Sequence, residues 1–249
     1  MFGGMINMKK IHKDYLQISN QNSQIPAILW GEKSNKILIA VHGNFSDKED
    51  TIIAIMAEIA VAQGYQVLSF DLPGHGERVD GNDESFPQTC VSDLKAVYNY
   101  AKVLADDLSL FACSIGAYFS MLAYQQFQLK QSLFLSPVVN LEQIIEEMMK
   151  SFNISEERLR LEKRIELPID HNLYWNYYSY IKKNPLSFLD QSPIVILYGS
   201  ADNMTQWELI SEFAKNYQAE VEVIENGEHY FHTEQQLDAF REWAEEKLF

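Results

Sequence analysis

A doubly wound, mostly parallel α/β sheet carrying a helical insertion is the fold class that the sequence predicts, and three features predict it. From Ile37 onward, short runs rich in β-branched residues alternate with longer segments of helical spacing, the succession expected of repeated strand-helix units. Several of those runs, Ile37-Leu38-Ile39-Ala40-Val41 first among them, are apolar without a break, as a strand covered on both faces must be. Residues 138–190 show helical spacing and no strand, which is more chain than a crossover helix needs. The expected division is a core formed by 1–137 and 191–249, with 138–190 inserted as a helical lid over the carboxyl edge of the sheet.

Each element has its own justification. Tyr15 to Ile18 and Ala27 to Trp30, split by a polar turn, read as an antiparallel edge. The buried run ending at Val41 leads into His42-Gly43-Asn44-Phe45, and Ser46 with Glu49 three residues on forms a capping box for a helix over Thr51 to Ala62. A strand over Gln66 to Phe70 then precedes Asp71-Leu72-Pro73-Gly74-His75-Gly76, a turn dense in Gly and Pro, and a helix from Phe86 to Leu104. The apolar run Leu108 to Phe111 closes in Ala112-Cys113-Ser114-Ile115-Gly116 and opens a helix over Tyr118 to Phe127. Ser132 to Leu135 is the next strand. The insertion reads as helices over Leu141 to Lys150, Ser155 to Ile165 and Asn172 to Lys183, the last with Tyr174, Tyr177, Tyr178 and Ile181 on one face. The sheet resumes with Ile194 to Tyr198, a helix over Thr205 to Asn216, an alternating strand over Glu220 to Ile224, and a final amphipathic helix beginning near Thr233.

With 249 residues, 47% of them apolar, the chain can bury a full core. A net charge of −15 without a long basic stripe argues against nucleic acid and anionic membrane surfaces as partners. The basic residues Arg158, Arg160, Lys163 and Arg164 are interleaved with Glu156, Glu157 and Glu162, the pattern of a solvated, salt-bridged face. The first ten residues lack the basic-then-apolar order of a secretory leader, no run reaches membrane-spanning length, and Cys90 and Cys113 make no disulfide framework. A reducing cytoplasm is the expected setting. No metal-ligand spacing or phosphate-binding glycine loop occurs, so no metal and no cofactor is expected.

The chemistry centres on Ser114. A strand that turns directly into a helix with serine at the bend holds a hydroxyl above the sheet, at a helix N-terminus that favours negative charge. A serine hydroxyl needs a base in hydrogen-bond reach, and an imidazole suits that task. His229 follows the flexible Asn226-Gly227 directly and is the preferred base, with His232 the rival. The imidazole needs an acceptor that fixes its tautomer. Asp202, just past Gly199-Ser200-Ala201, serves that role or caps the following helix; Asp190 precedes its strand and is the weaker substitute. The backbone N–H groups of Asn44 and Ile115 are the expected oxyanion donors. Phe45, Tyr174, Tyr177 and Tyr178 are candidates to line the substrate pocket, the three tyrosines having packing of the lid as their alternative. Cys113 and His42 read as structural residues.

Ser114, Asp202 and His229 fall past strand ends in that order, and with His42-Gly43-Asn44, Asp71-Leu72-Pro73-Gly74-His75-Gly76 and Ala112-x-Ser114-x-Gly116 the chain resembles the α/β-hydrolase superfamily, nearest its lid-bearing serine esterase and lipase-like branch. It departs from the usual G-x-S-x-G in having Ala112 at the first position. The resemblance covers Ile37 to the C-terminus and gives Asp71 and His75 a structural turn. It implies a serine hydrolase acting on a small-molecule carboxylic ester, thioester or amide through an acyl-enzyme. The same site would also serve acyl transfer or lyase chemistry, and the same scaffold could act as a non-catalytic small-molecule receptor. Oligomeric state is left open.

Overall fold

A computed structural model of the chain describes residues 11–21, 23–79, 86–169, 171–187 and 192–249. The reading of the first ten residues, the boundary at 190/191 and Asp190 lie outside the described residues. The strands are β1 (Lys13–Asn20), β2 (Ser23–Trp30), β3 (Lys36–Val41), β4 (Gln66–Phe70), β5 (Asp107–Cys113), β6 (Ser132–Leu135), β7 (Arg164–Leu167), β8 (His171–Tyr174), β9 (Ile194–Gly199) and β10 (Glu220–Ile224). The helices are α1 (Thr51–Ala62), α2 (Pro87–Leu104), α3 (Ser114–Tyr124), α4 (Leu141–Ser151), α5 (Glu156–Glu162), α6 (Trp175–Lys183), α7 (Trp207–Tyr217) and α8 (Glu234–Lys247).

Eight strands form one sheet in the order β1-β2-β4-β3-β5-β6-β9-β10. β1 and β2 are antiparallel, β2 runs antiparallel to β4, and every later pairing is parallel. The central strands explain their own hydrophobicity. On β3, Ile37, Ile39 and Val41 enter the apolar layer shared with α2, α3 and α7, while Leu38 and Ala40 enter the layer shared with α1 and α8. Successive side chains leave a strand on opposite faces, so helices on both sides require an unbroken apolar run.

The segment between β6 and β9 departs from the expectation of helices alone. β7 and β8 form an antiparallel hairpin within it. Ile165 and Leu167 are buried while Arg164 and Glu166 are exposed, a two-residue period that four residues are too few to distinguish from a helix end. Ser155 caps α5 by accepting from Arg158 N, and Lys163 ends it at φ 66°. Tyr174 accordingly closes β8 and stands at the N-cap of α6 rather than inside it. The start of α1 also differs. Asp50, not Ser46, caps the helix by accepting from Ile53 N, Ser46 donates to Asp50, and Glu49 meets Lys13 and Tyr15.

The apolar interior of the insertion is continuous with that of the sheet. Leu141, Ile145, Leu159, Leu173 and Ile181 belong to the same buried cluster as Val97, Tyr118 and Ile196.

Candidate active site

The sheet's carboxyl edge gathers the polar residues. β5 ends at Cys113, and Ser114 takes φ 48° as α3 begins, a left-handed conformation that is uncommon outside glycine. The bend is tight because α3 lies against the loop after β3. A Cβ at Gly116 would stand 2.2 Å from the His42 carbonyl oxygen, so only glycine fits there. The Ser114 carbonyl accepts from Val138 N at 3.1 Å, which fixes the bend from the other side.

Two further loops bring up the imidazole and the carboxylate. The turns after β9 and β10 are stitched by Ala201 N to Gly227 O at 2.8 Å and Ser200 N to Ile224 O at 2.9 Å. A Cβ at Gly199 would lie 2.3 Å from the Gly227 carbonyl oxygen, so the approach depends on that glycine. The Asp202 side chain is 0% exposed and that of His229 is 14% exposed. Asp202 Oδ1 accepts from Met204 N at 2.8 Å and Thr205 N at 2.9 Å, while Oδ2 lies 2.7 Å from His229 Nδ1. His229 Nε2 lies 2.8 Å from Ser114 Oγ. With its Nδ1–H donated to the carboxylate, the ring turns the Nε2 lone pair toward the hydroxyl.

Asp202 does not cap α7, whose N-cap is Gln206. Its second oxygen instead receives the N–H groups of its own loop, a local turn typical of aspartate. The Tyr198 hydroxyl donates to Thr205 O at 2.9 Å and steadies that loop. His232 is exposed, its ring stacked on Tyr230 and its Nδ1 2.9 Å from Tyr230 O.

The loop after β3 packs directly on the serine, since a Cβ at Gly43 would lie 3.2 Å from Ser114 Cβ. No partner for the N–H of Asn44 or of Ile115 is found among the described residues. His42 is fully buried. Its Nε2 accepts from Leu72 N at 3.0 Å and its Nδ1–H donates to Gly43 O at 2.7 Å. Burial lowers its pKa to about 4, so the ring stays neutral and serves as a fixed bracket. Burial pushes the Cys113 thiol well above its ordinary range, which disfavours a thiolate beside Ser114.

Beneath this loop lies a charged cluster that the sequence reading left undescribed. Lys48 Nζ meets Asp71 Oδ2 and Glu77 Oε1, each at 2.7 Å, and Asp71 also accepts from Lys48 N and Glu77 N. The turn at 71–77 is thereby stapled to the loop after β3.

The aromatic candidates divide. Phe45 is 97% exposed, with φ 57°. Tyr174 meets the Phe86 ring edge-on at 5.3 Å, and Tyr177 lies 6.4 Å from the same ring. Burial drives the Tyr177 hydroxyl far above its usual pKa. Tyr178 follows the packing alternative: it is buried, and its hydroxyl donates to Glu146 Oε1 at 2.7 Å. Burial and then that carboxylate push it up to about 12, and its task is to pack α6 on α4. Phe86, whose ring both tyrosines meet, stands before Pro87, the first residue of α2, at the start of the helix that follows the carboxyl end of β4. Tyr118 lies four residues, one helical turn, beyond Ser114 on α3, with its side chain tilted toward the helix N-terminus. Among the described residues, no three His, Cys, Asp or Glu residues group as a metal site, and no helix is long and apolar enough to cross a membrane.

Comparison with known proteins agrees with this architecture. Est1E from Butyrivibrio proteoclasticus superposes with a TM-score of 0.78 at 20% identity, over 93% of this chain and 96% of that one. A second structure of Est1E, with ferulic acid bound, gives a TM-score of 0.76 at 21% identity, covering 93% of this chain and 96% of that one. The esterase Pf2001 from Pyrococcus furiosus gives 0.68 at 18% identity, over 95% and 89%. No curated protein matches the chain by sequence. The family model described as alpha/beta hydrolase family matches residues 38–243, and with the strand order, the bend at Ser114 and the two stitched loops it establishes that the chain belongs to the alpha/beta hydrolase family.

Proposed function

We propose that the chain is a serine hydrolase that cleaves carboxylic esters of small molecules through an acyl-enzyme. One observation carries the reading: the Ser114 hydroxyl, both nitrogens of His229 and the buried Asp202 carboxylate form an unbroken hydrogen-bonded series. Ser114 Oγ attacks the ester carbonyl carbon as His229 Nε2 takes its proton, and Asp202 offsets the charge of the resulting imidazolium. The carbonyl oxygen becomes an oxyanion, received by the N–H groups of Asn44 and Ile115 at the positive end of α3. Collapse of the tetrahedral adduct breaks the bond to the alcohol, which leaves with the proton held by His229. Water then enters, gives a proton to the same nitrogen and adds to the acyl carbon. A second collapse releases the carboxylic acid and returns the proton to Ser114.

The insertion acts as a lid, and the rings of Phe86, Tyr174 and Tyr177 favour acyl groups that carry an aromatic ring. The ferulic acid in Est1E, an aromatic carboxylic acid, supports that direction. The proposed setting is the cytoplasm, where Cys113 beside the nucleophile stays a thiol.

The test is turnover of a panel of p-nitrophenyl esters by the wild type and Ser114→Ala. The substitution should lower kcat/KM by at least about 10³-fold and abolish labelling by a fluorophosphonate probe. Turnover that survives it rejects the mechanism.

A further inference from the structure

We propose that His75 is a positioning residue for oxyanion stabilisation, acting through the side chain of Asn44; the inference rests on the ester-hydrolase reading. An oxyanion donor is effective only if it is already aimed when charge develops, because any reorganisation then adds to the barrier. Asn44 is exposed, and its neighbour Phe45 has φ 57° and is almost wholly exposed. Its backbone N–H therefore belongs to a loop that needs a fixing point. The Asn44 side chain supplies one: its Oδ1 lies 2.9 Å from His75 Nε2.

His75 is itself anchored. It is buried, its Nδ1 lies 2.9 Å from Pro73 O, and its ring tilts against that of His42 at 5.2 Å. With Nδ1–H donating to Pro73 O, Nε2 accepts from the Asn44 amide turned by half a rotation. A doubly protonated ring donates to Asn44 Oδ1 as it stands. Either arrangement ties Asn44 itself to the turn after β4, in addition to the bonds that Lys48 and His42 make between the same two loops. His75 makes no hydrogen bond to Ser114, His229 or Asp202, so its part is not proton transfer. Nor is it needed to hold its own turn, which the Asp71 carboxylate braces through Lys48 and Glu77.

The experiment measures kcat and KM for one activated ester with Asn44→Ala, His75→Ala, the double variant and His75→Gln, together with the affinity of each for an aryl trifluoromethyl ketone, whose serine adduct carries an oxyanion. Asn44→Ala leaves the backbone N–H in place at an exposed position, so it tests the contact even if His75→Ala fails to fold. The expected result is a loss of about tenfold or more in kcat for Asn44→Ala and His75→Ala, with KM within about twofold. The ketone should lose affinity in proportion, the double variant should be no slower than the slower single variant, and His75→Gln, whose amide can both accept and donate, should recover most of the rate. Unchanged kcat in Asn44→Ala, losses that multiply in the double variant, or a rise in KM alone would overturn the inference. None of these outcomes touches the Ser114→Ala result, so the positioning role and the ester reading fail separately.

Discussion

Ser114 occupies left-handed backbone at φ 48°, where a Cβ costs about 1 kcal/mol that glycine does not incur. Ser114→Gly and Ser114→Ala should both be inactive, yet the glycine variant should be the more stable of the two by about 1 kcal/mol in urea unfolding. Equal midpoints would show that the bend stores no strain. His42 makes a second prediction at this scale. Its folded pKa is depressed to about 4 from 6.5, so below pH 6.5 the unfolded chain binds a proton that the folded chain refuses. The stability it contributes is complete above that pH and is lost as pH falls toward 4, by roughly 3 kcal/mol in all. His42→Gln should flatten the slope of stability against pH over that window, as followed by denaturant midpoints. The meeting of Ser114, His229 and Asp202 was legible in the sequence because each is a polar side chain placed just past a strand end, where the loops of one sheet edge converge. Other contacts between distant loops were not legible. Nothing in Asn44 or His75 alone announces their hydrogen bond, and Phe86 gains meaning only once Tyr174 and Tyr177 stand beside it.

At the scale of elements, β4, β6, β10 and α1 fall on the residues that hydrophobic patterning marks out. β4 and β6 are buried along their whole length, so a short, largely apolar run marks them, while the alternation of β10 is carried by its sequence and not by deep burial. The hairpin of β7 and β8 was missed for the opposite reason: two strands of four residues carry too few side chains to establish a period. That misreading placed Tyr174 and Tyr178 on one helical face and gave them one role. The structure separates them, and mutation should too. Tyr178→Phe removes the hydrogen bond to Glu146 and should cost about 1 kcal/mol of stability while ester turnover is unchanged. Tyr177→Ala should instead raise KM for aryl esters more than for acetyl esters. Matching kinetic profiles for the two variants would remove Tyr177 from the pocket.

For the molecule as a whole, the succession of strands and helices made the layered architecture readable, because covering both faces of a sheet dictates which runs are apolar. The buried charges were not readable. Arg78 Nη1 lies 2.6 Å from Asp93 Oδ2, joining the turn after β4 to α2 with both side chains almost wholly buried. Asp93→Ala removes the carboxylate that faces a buried guanidinium and should cost about 3–5 kcal/mol, visible as a lowered melting temperature. The apolar cluster that runs without interruption from the sheet into the insertion carries a last consequence. A flap resting on its own small interior would melt by itself and swing as a rigid body. Here, calorimetry should record one endotherm, with van't Hoff and calorimetric enthalpies in agreement.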